Sequence, residues 1–136
     1  MVLLNTPNFI FERPIKPMIE QVRPAHFSAW LQAVGQSHPM DAPLVLDVRE
    51  PYELSLANLG QGDGQGFRVI AMPMGAIPAR LMELDPDQPI ACLCHHGMRS
   101  MQVARFLASN GFGQVVNIDG GIDAWSMEKD PSISRY

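Results

Sequence analysis

The chain has 136 residues, 46% of them hydrophobic and 18% charged, and carries a formal net charge of −4. That is the length and balance of one globular domain, which excludes a disordered or fibrous chain and a strongly basic nucleic-acid binder. Its two cysteines, Cys92 and Cys94, stand at alternate positions, roughly 6.6–7 Å apart if they share a strand, so a disulfide scaffold is excluded as well.

Residues 1–17 hold Pro7, Pro14 and Pro17 and show no sustained periodicity. They predict an N-terminal extended arm that either packs its Phe9-Ile10-Phe11 segment on the body or on a second copy as a homodimer, or stays loosely ordered. The opening residues lack a basic stretch and a long apolar run, so neither a signal peptide nor a membrane anchor is expected. A reducing, cytoplasmic location and no membrane partner follow as the expectation. Residues 18–136 form the predicted domain.

Met18 to Val22 is a candidate edge strand. Pro24 suits the first turn of a helix, and Phe27, Trp30, Leu31 and Val34 follow at helical spacing, with Gly35 as the expected stop. Leu44-Val45-Leu46-Asp47-Val48 is a continuous apolar run ending in a charge cluster, the pattern of a strand covered on both faces. Pro51 to Leu56 predicts a helical turn, residues 58–66 a glycine-rich loop, Arg68 to Met72 a strand and Ile77 to Leu84 a short helix. Ile90 to Leu93 is a further buried strand. After a tight loop over His95 to Met98, an amphipathic helix is expected from about Arg99 or Ser100 to Asn110, with Val103, Ala104, Phe106 and Leu107 on one side and Gly111 as its stop. Val115 to Ile118 predicts a strand, and a last helix after Gly120-Gly121 carries Ile122, Trp125 and Met127. Strands alternating with helices predict an α/β domain with a mostly parallel sheet.

Ligands of such sheets bind beyond the carboxyl ends of the strands. Two polar clusters fall there: Asp47 with Arg49, and Cys94-His95-His96-Gly97-Met98-Arg99-Ser100. In the second, a cysteine closes a buried strand and a glycine-containing loop leads into a helix. A helix N-terminus presents unpaired N–H groups and about half a positive charge, and a tight loop turns successive N–H groups inward. Arg99 adds a cation if its side chain turns toward the loop. Each of these favours the thiolate, the reactive form of cysteine. Cys92, inside the strand, is expected to be core.

These residues resemble a known family. Asp47-Val48-Arg49-Glu50-Pro51-Tyr52-Glu53, Cys94 to Ser100, Gly111-Phe112 and Asp119-Gly120-Gly121-Ile122-Asp123-Ala124-Trp125 are similar, in order and spacing, to the rhodanese homology domain. The resemblance spans about residues 18 to 131. It implies a five-stranded parallel sheet flanked by helices on both faces, and Cys94 as the catalytic cysteine of an active loop. It also implies backbone amides of His95, His96, Gly97, Met98 and Arg99 cradling the substrate, with Arg99 serving anion binding or loop shape. Ser100, Asp47 and Arg49 are expected to support the site, the last two as an ion pair tying down a strand end. One segment departs from the family: a Gly-His-Ile-Pro-Gly-Ala type stretch is replaced by Ala57-Asn58-Leu59-Gly60 and the glycine-rich loop to Gly66, which bears on substrate choice.

The implied activity is that of a thiosulfate sulfurtransferase, a transferase moving sulfur from thiosulfate or another persulfide-forming donor to a thiol, protein or other thiophilic acceptor through a Cys94 persulfide. It needs no metal and no organic cofactor. The alternatives are a non-catalytic binding or sulfur-carrier module and, further off, a cysteine phosphatase or arsenate reductase. The latter enzymes place five residues between cysteine and arginine, whereas four separate Cys94 from Arg99 here, a ring suited to one sulfur atom rather than a phosphate. A metal site made of Cys92, Cys94, His95 and His96 is disfavoured, since ligands so close in sequence wrap one tetrahedral ion poorly.

Overall fold

The computed structural model describes residues 18–38, 42–62 and 64–136; the expected arm at 1–17 lies outside them. The strands are β1 (Glu20–Val22), β2 (Leu44–Asp47), β3 (Arg68–Ala71), β4 (Ile90–Leu93) and β5 (Val115–Ile118). The helices are α1 (Phe27–Ser37), α2 (Pro51–Leu56), α3 (Met98–Ser109) and α4 (Gly121–Glu128), with short 3₁₀ turns at Pro24–His26, Met74–Ala76 and Leu81–Glu83. Among the described residues the strands form one parallel sheet in the order β1-β5-β4-β2-β3.

Alternation along the buried strands divides the core into two layers. Val45, Ala91, Leu93, Val116 and Ile118 face α1 and α4, meeting Phe27, Trp30, Val34, Ile122 and Trp125. Leu44, Leu46, Ile90, Cys92 and Cys94 face α3 and the 3₁₀ turns, meeting Met72, Ile77, Val103 and Leu107. Both faces of the central strands are therefore dry, which is why their sequences read as unbroken apolar runs. Phe27 anchors the first layer, with ring centroids 5.2 Å from Trp30, 5.4 Å from Phe67 and 5.0 Å from Trp125, distances at which tilted and edge-to-face rings attract.

Three sequence expectations are corrected. Gly35 does not stop α1, which runs two residues further to Ser37; one glycine costs a helix only about 1 kcal/mol, and Trp30 and Val34 hold the helix against the sheet. The Ile77–Leu84 segment is not an α-helix: residues 77–80 form turns and Leu81–Glu83 a 3₁₀ turn, closed by Glu83 N–H to Arg80 O and Leu84 N–H to Leu81 O, the i→i+3 bonds of a short connector. Helix α3 starts at Met98 rather than Arg99, with Gly97 as N-cap in the left-handed region at φ 103°. Among the described residues no helix is long and apolar enough to cross a membrane.

Trp125 is buried at the junction of α1, α4 and the sheet. Trp125→Ala should lower the unfolding free energy by about 3–5 kcal/mol, read from urea denaturation of the full chain.

Candidate active site

Strand β4 is central and ends at Leu93, so Cys94 emerges between the ends of β2 and β5. There the chain must turn from a strand into α3 within residues 94–97. The turn is fixed from three sides. The N-terminus of α4 donates to its carbonyls: Ile122 N–H to Cys94 O at 2.9 Å and Asp123 N–H to His95 O at 3.2 Å. Asn117, on β5, donates through Nδ2 to Gly97 O at 3.0 Å. Gly121 makes the approach of α4 feasible. Its φ is +63°, and a Cβ there would collide with the carbonyl oxygens of Cys94 and His95.

The remaining side is the sulfur itself. Cys94 Sγ accepts from Gly97 N–H at 3.1 Å, from Ser100 N–H at 3.3 Å and lies 3.3 Å from Ser100 Oγ. A helix start leaves its first N–H groups without intrahelical partners, and here the sulfur takes the acceptor role that an N-cap oxygen usually fills. Ser100 Oγ is also 2.6 Å from Asn117 Oδ1. A hydroxyl has one hydrogen, and at this distance it lies between the two oxygens, donated to Asn117 Oδ1, so Ser100 Oγ presents a lone pair to the thiol S–H. Asn117 went unnoticed in the sequence because a polar residue inside the apolar Val115–Ile118 run gives no local sign of which strand it will face.

The structure brings the expected site residues together unequally. Cys94, Gly97 and Ser100 make the sulfur's polar contacts. His95 and His96 lie at the outer side with their rings stacked at 3.8 Å, and Met98 is exposed beside them. Asp47 and Arg49 form the expected pair at the end of β2: Arg49 Nε and Nη2 donate to Asp47 Oδ1 and Oδ2 at 2.8 and 2.7 Å, with both side chains buried. Arg99 turns away toward α2, where its guanidinium grips Glu53 in a fork, at 2.7 and 2.9 Å. Cys92 is fully buried and the desolvation of its thiolate pushes its thiol well above the ordinary range.

Glu53 closes the Asp47–Glu53 motif quoted above, but nothing in the sequence assigns a role to its side chain. It is buried because α2 begins at Pro51 with a capping box, in which Glu53 Oε1 accepts from Glu50 N–H, and this turns its carboxylate inward. The Arg99 hydrogen bonds hold it down at about 2, against the opposing effect of burial. Tyr136 was missed as well. Its hydroxyl donates to Glu53 Oε2 at 2.8 Å and accepts from Arg49 Nη1 at 3.0 Å, and its ring stacks on His95 at 3.8 Å and 8°. Nothing in sequence links position 136 to position 95.

His95, His96 and Asp123 offer ligand atoms all within 4.8 Å of one another. Two of the three are already engaged: His95 Nε2 donates to Tyr136 O at 2.8 Å, and Asp123 receives Arg135 at 2.8 and 3.3 Å. The cluster therefore reads as a holder for Arg135 and Tyr136 rather than for an ion.

Comparison with known proteins agrees with this geometry. The family model described as Rhodanese-like domain matches residues 29–128. A rhodanese-like/PpiC domain-containing protein 12, chloroplastic, from Arabidopsis thaliana is 42% identical over 99 residues, 71% of this chain and 31% of that protein. A protein named sulfurtransferase from Allochromatium vinosum is 32% identical over 91 residues, 67% of this chain and 78% of its own length. The chain thus spans about a third of the first relative and most of the second. The crystal structure of a rhodanese-related protein from Thermoplasma volcanium superposes with a TM-score of 0.65 at 26% identity, covering 86% of this chain and 99% of that one.

Two outcomes test the site's construction. Gly121→Ala should cost about 1–3 kcal/mol in urea denaturation and shift the backbone amide NMR signals of residues 94–100, because α4 can no longer close on the loop. The lowered value for Glu53 means that its pairing stabilises the fold fully above pH 4.5 and that this contribution is lost as pH falls toward about 2. Glu53→Gln should therefore unfold at lower urea than the parent at neutral pH, and the gap should narrow through that acidic window.

Proposed function

Because the chain belongs to the rhodanese-like domain family, we propose that it is a sulfurtransferase that carries sulfane sulfur on Cys94 as a persulfide. The observation carrying this reading is the convergence of Gly97 N–H and Ser100 N–H on one sulfur atom. Preorganised donors aimed at a nucleophile favour its anionic form and need no rearrangement during reaction.

With thiosulfate as donor, the Cys94 thiolate attacks the outer sulfur. A bond forms between Sγ and that sulfur, the donor's S–S bond breaks, and its electron pair leaves with sulfite. The negative charge stays on the terminal sulfur of the persulfide. A thiophilic acceptor then attacks that terminal sulfur, and the Cys94 thiolate is released with the bonding pair. Cyanide takes it as thiocyanate; a thiol or a partner's cysteine takes it as a new persulfide. The two displacements share one covalent intermediate, and neither calls on a metal or an organic cofactor. A reducing cytoplasm suits a free nucleophilic thiol.

Sulfur transfer is favoured over phosphoryl transfer by the state of Arg99. Its planar fork is occupied by Glu53, and a guanidinium gripped in this bidentate way is not available to a phosphate dianion. Anion stabilisation then falls to the peptide N–H groups, which suits one sulfur atom.

Cys94→Ser should abolish transfer from thiosulfate to cyanide, while Cys92→Ser keeps most of it. Thiosulfate treatment should add about 32 Da to the parent at Cys94, seen by intact-mass and peptide mass spectrometry. A folded parent that gains no sulfur would instead point to a binding module.

A further inference from the structure

We propose that Tyr136 is a specificity-determining residue of the Cys94 site, an aromatic lid whose closure admits small reagents and holds back bulky ones. The proposal rests on the reading of Cys94 as the reactive sulfur.

Cys94 is only 1% exposed, so a reagent reaches it only where the wall of the loop gives way. On the side of His95, Glu53 and Arg49 the site is covered by Tyr136. After α4 the chain turns back through Asp130, where Ile133 N–H donates to Asp130 O at 3.1 Å and Ser126 Oγ donates to Ile133 O at 2.6 Å. Arg135 then grips Asp123, at the head of the helix that pins the loop. This delivers Tyr136 to His95, the residue following the nucleophile. The ring lies flat on the imidazole, and the imidazole in turn stacks on His96. The hydroxyl sits between Arg49 and Glu53, and Glu53 holds Arg99 of the same loop.

The contacts that hold the lid are directional. Burial pushes the Tyr136 phenol up to about 12 and Arg99 holds Glu53 at about 2. Near neutrality the hydroxyl therefore keeps its proton and gives it to a carboxylate, a charge-assisted bond. The anchors are also few and near water. Tyr136 remains 37% exposed, and the Arg135–Asp123 pair lies at the surface, where ion pairs contribute little. A segment held this way opens locally without unfolding the domain. Reactivity toward a reagent too large for the closed mouth then scales with the open fraction. A compact donor such as thiosulfate needs only a small opening of the wall, whereas a partner's cysteine must displace Tyr136 from His95 and Glu53.

The test uses the full chain as parent, Tyr136→Phe and Tyr136→Ala, reacted separately with iodoacetamide and with fluorescein maleimide. The adduct on Cys94 is quantified by peptide mass spectrometry, and thermal melting confirms that each variant is folded. Tyr136→Ala should label about tenfold faster with the maleimide, equivalent to about 1.4 kcal/mol of lid closure, and less than about threefold faster with iodoacetamide. Tyr136→Phe, which keeps the ring and loses the hydroxyl bonds, should fall between parent and Tyr136→Ala. Equal maleimide rates in parent and Tyr136→Ala, or equal acceleration with both reagents, would overturn the proposal. Persulfide formation is scored separately. Faster labelling without any thiosulfate-derived sulfur upholds the lid and defeats the sulfur-transfer reading; sulfur uptake with unchanged labelling does the reverse.

Discussion

The site depends on one substitution of partners: a cysteine sulfur stands where a helix start needs an acceptor. The first N–H groups of a helix must find something to bond. In this fold Gly97 N–H and Ser100 N–H find Cys94 Sγ. The same contacts that finish α3 therefore fall on the sulfur proposed as the nucleophile. A second helix start, that of α4, bonds the carbonyls of Cys94 and His95 from the other side. Two positive helix ends thus converge on one short turn, and Asn117 and Gly121 fix how closely they approach. Function and fold share these hydrogen bonds, so few loop residues are replaceable without affecting both.

The arginines near the site are matched by carboxylates. Arg49 is paired with Asp47 and Arg99 with Glu53. Buried pairs of this kind add little net stability, since desolvation offsets attraction, but a charge left alone is costly. Their contribution is geometric: Asp47–Arg49 squares off the end of β2, and Glu53–Arg99 ties α2 to the loop. With both guanidinium groups paired to carboxylates, the donors that reach the sulfur are peptide N–H groups, and their dipoles shape the field at close range. Such a field is compact and directional, suited to one atom rather than to a tetrahedral oxyanion.

The order of strands and helices was readable in the sequence because the buried strands are apolar on both faces and each is followed by a helix-period segment. Cys94 was readable for the same reason: it is the first residue after the Ile90–Leu93 run and stands before a glycine and a helix. The Asp47–Arg49 pair followed from two charges at the end of an apolar strand. The unread residues share a feature. Asn117, Glu53 and Tyr136 act on the loop from β5, α2 and the end of the chain, and their roles arise only when the sheet places those elements beside β4. Local pattern carries no such information. Smaller errors had local causes. Gly35 was outweighed by the packing of Trp30 and Val34. Gly97, with its positive φ, caps α3 instead of merely preceding it.

The most direct test of the central claim is a crystal structure of the full chain after thiosulfate treatment. The account predicts one additional sulfur bonded to Cys94, lying among the loop's backbone N–H groups, with Gly97 N–H and Ser100 N–H still directed at the original Sγ. Sulfur carried by Cys92 instead, or a Cys94 Sγ with neither Gly97 N–H nor Ser100 N–H directed at it, would contradict it.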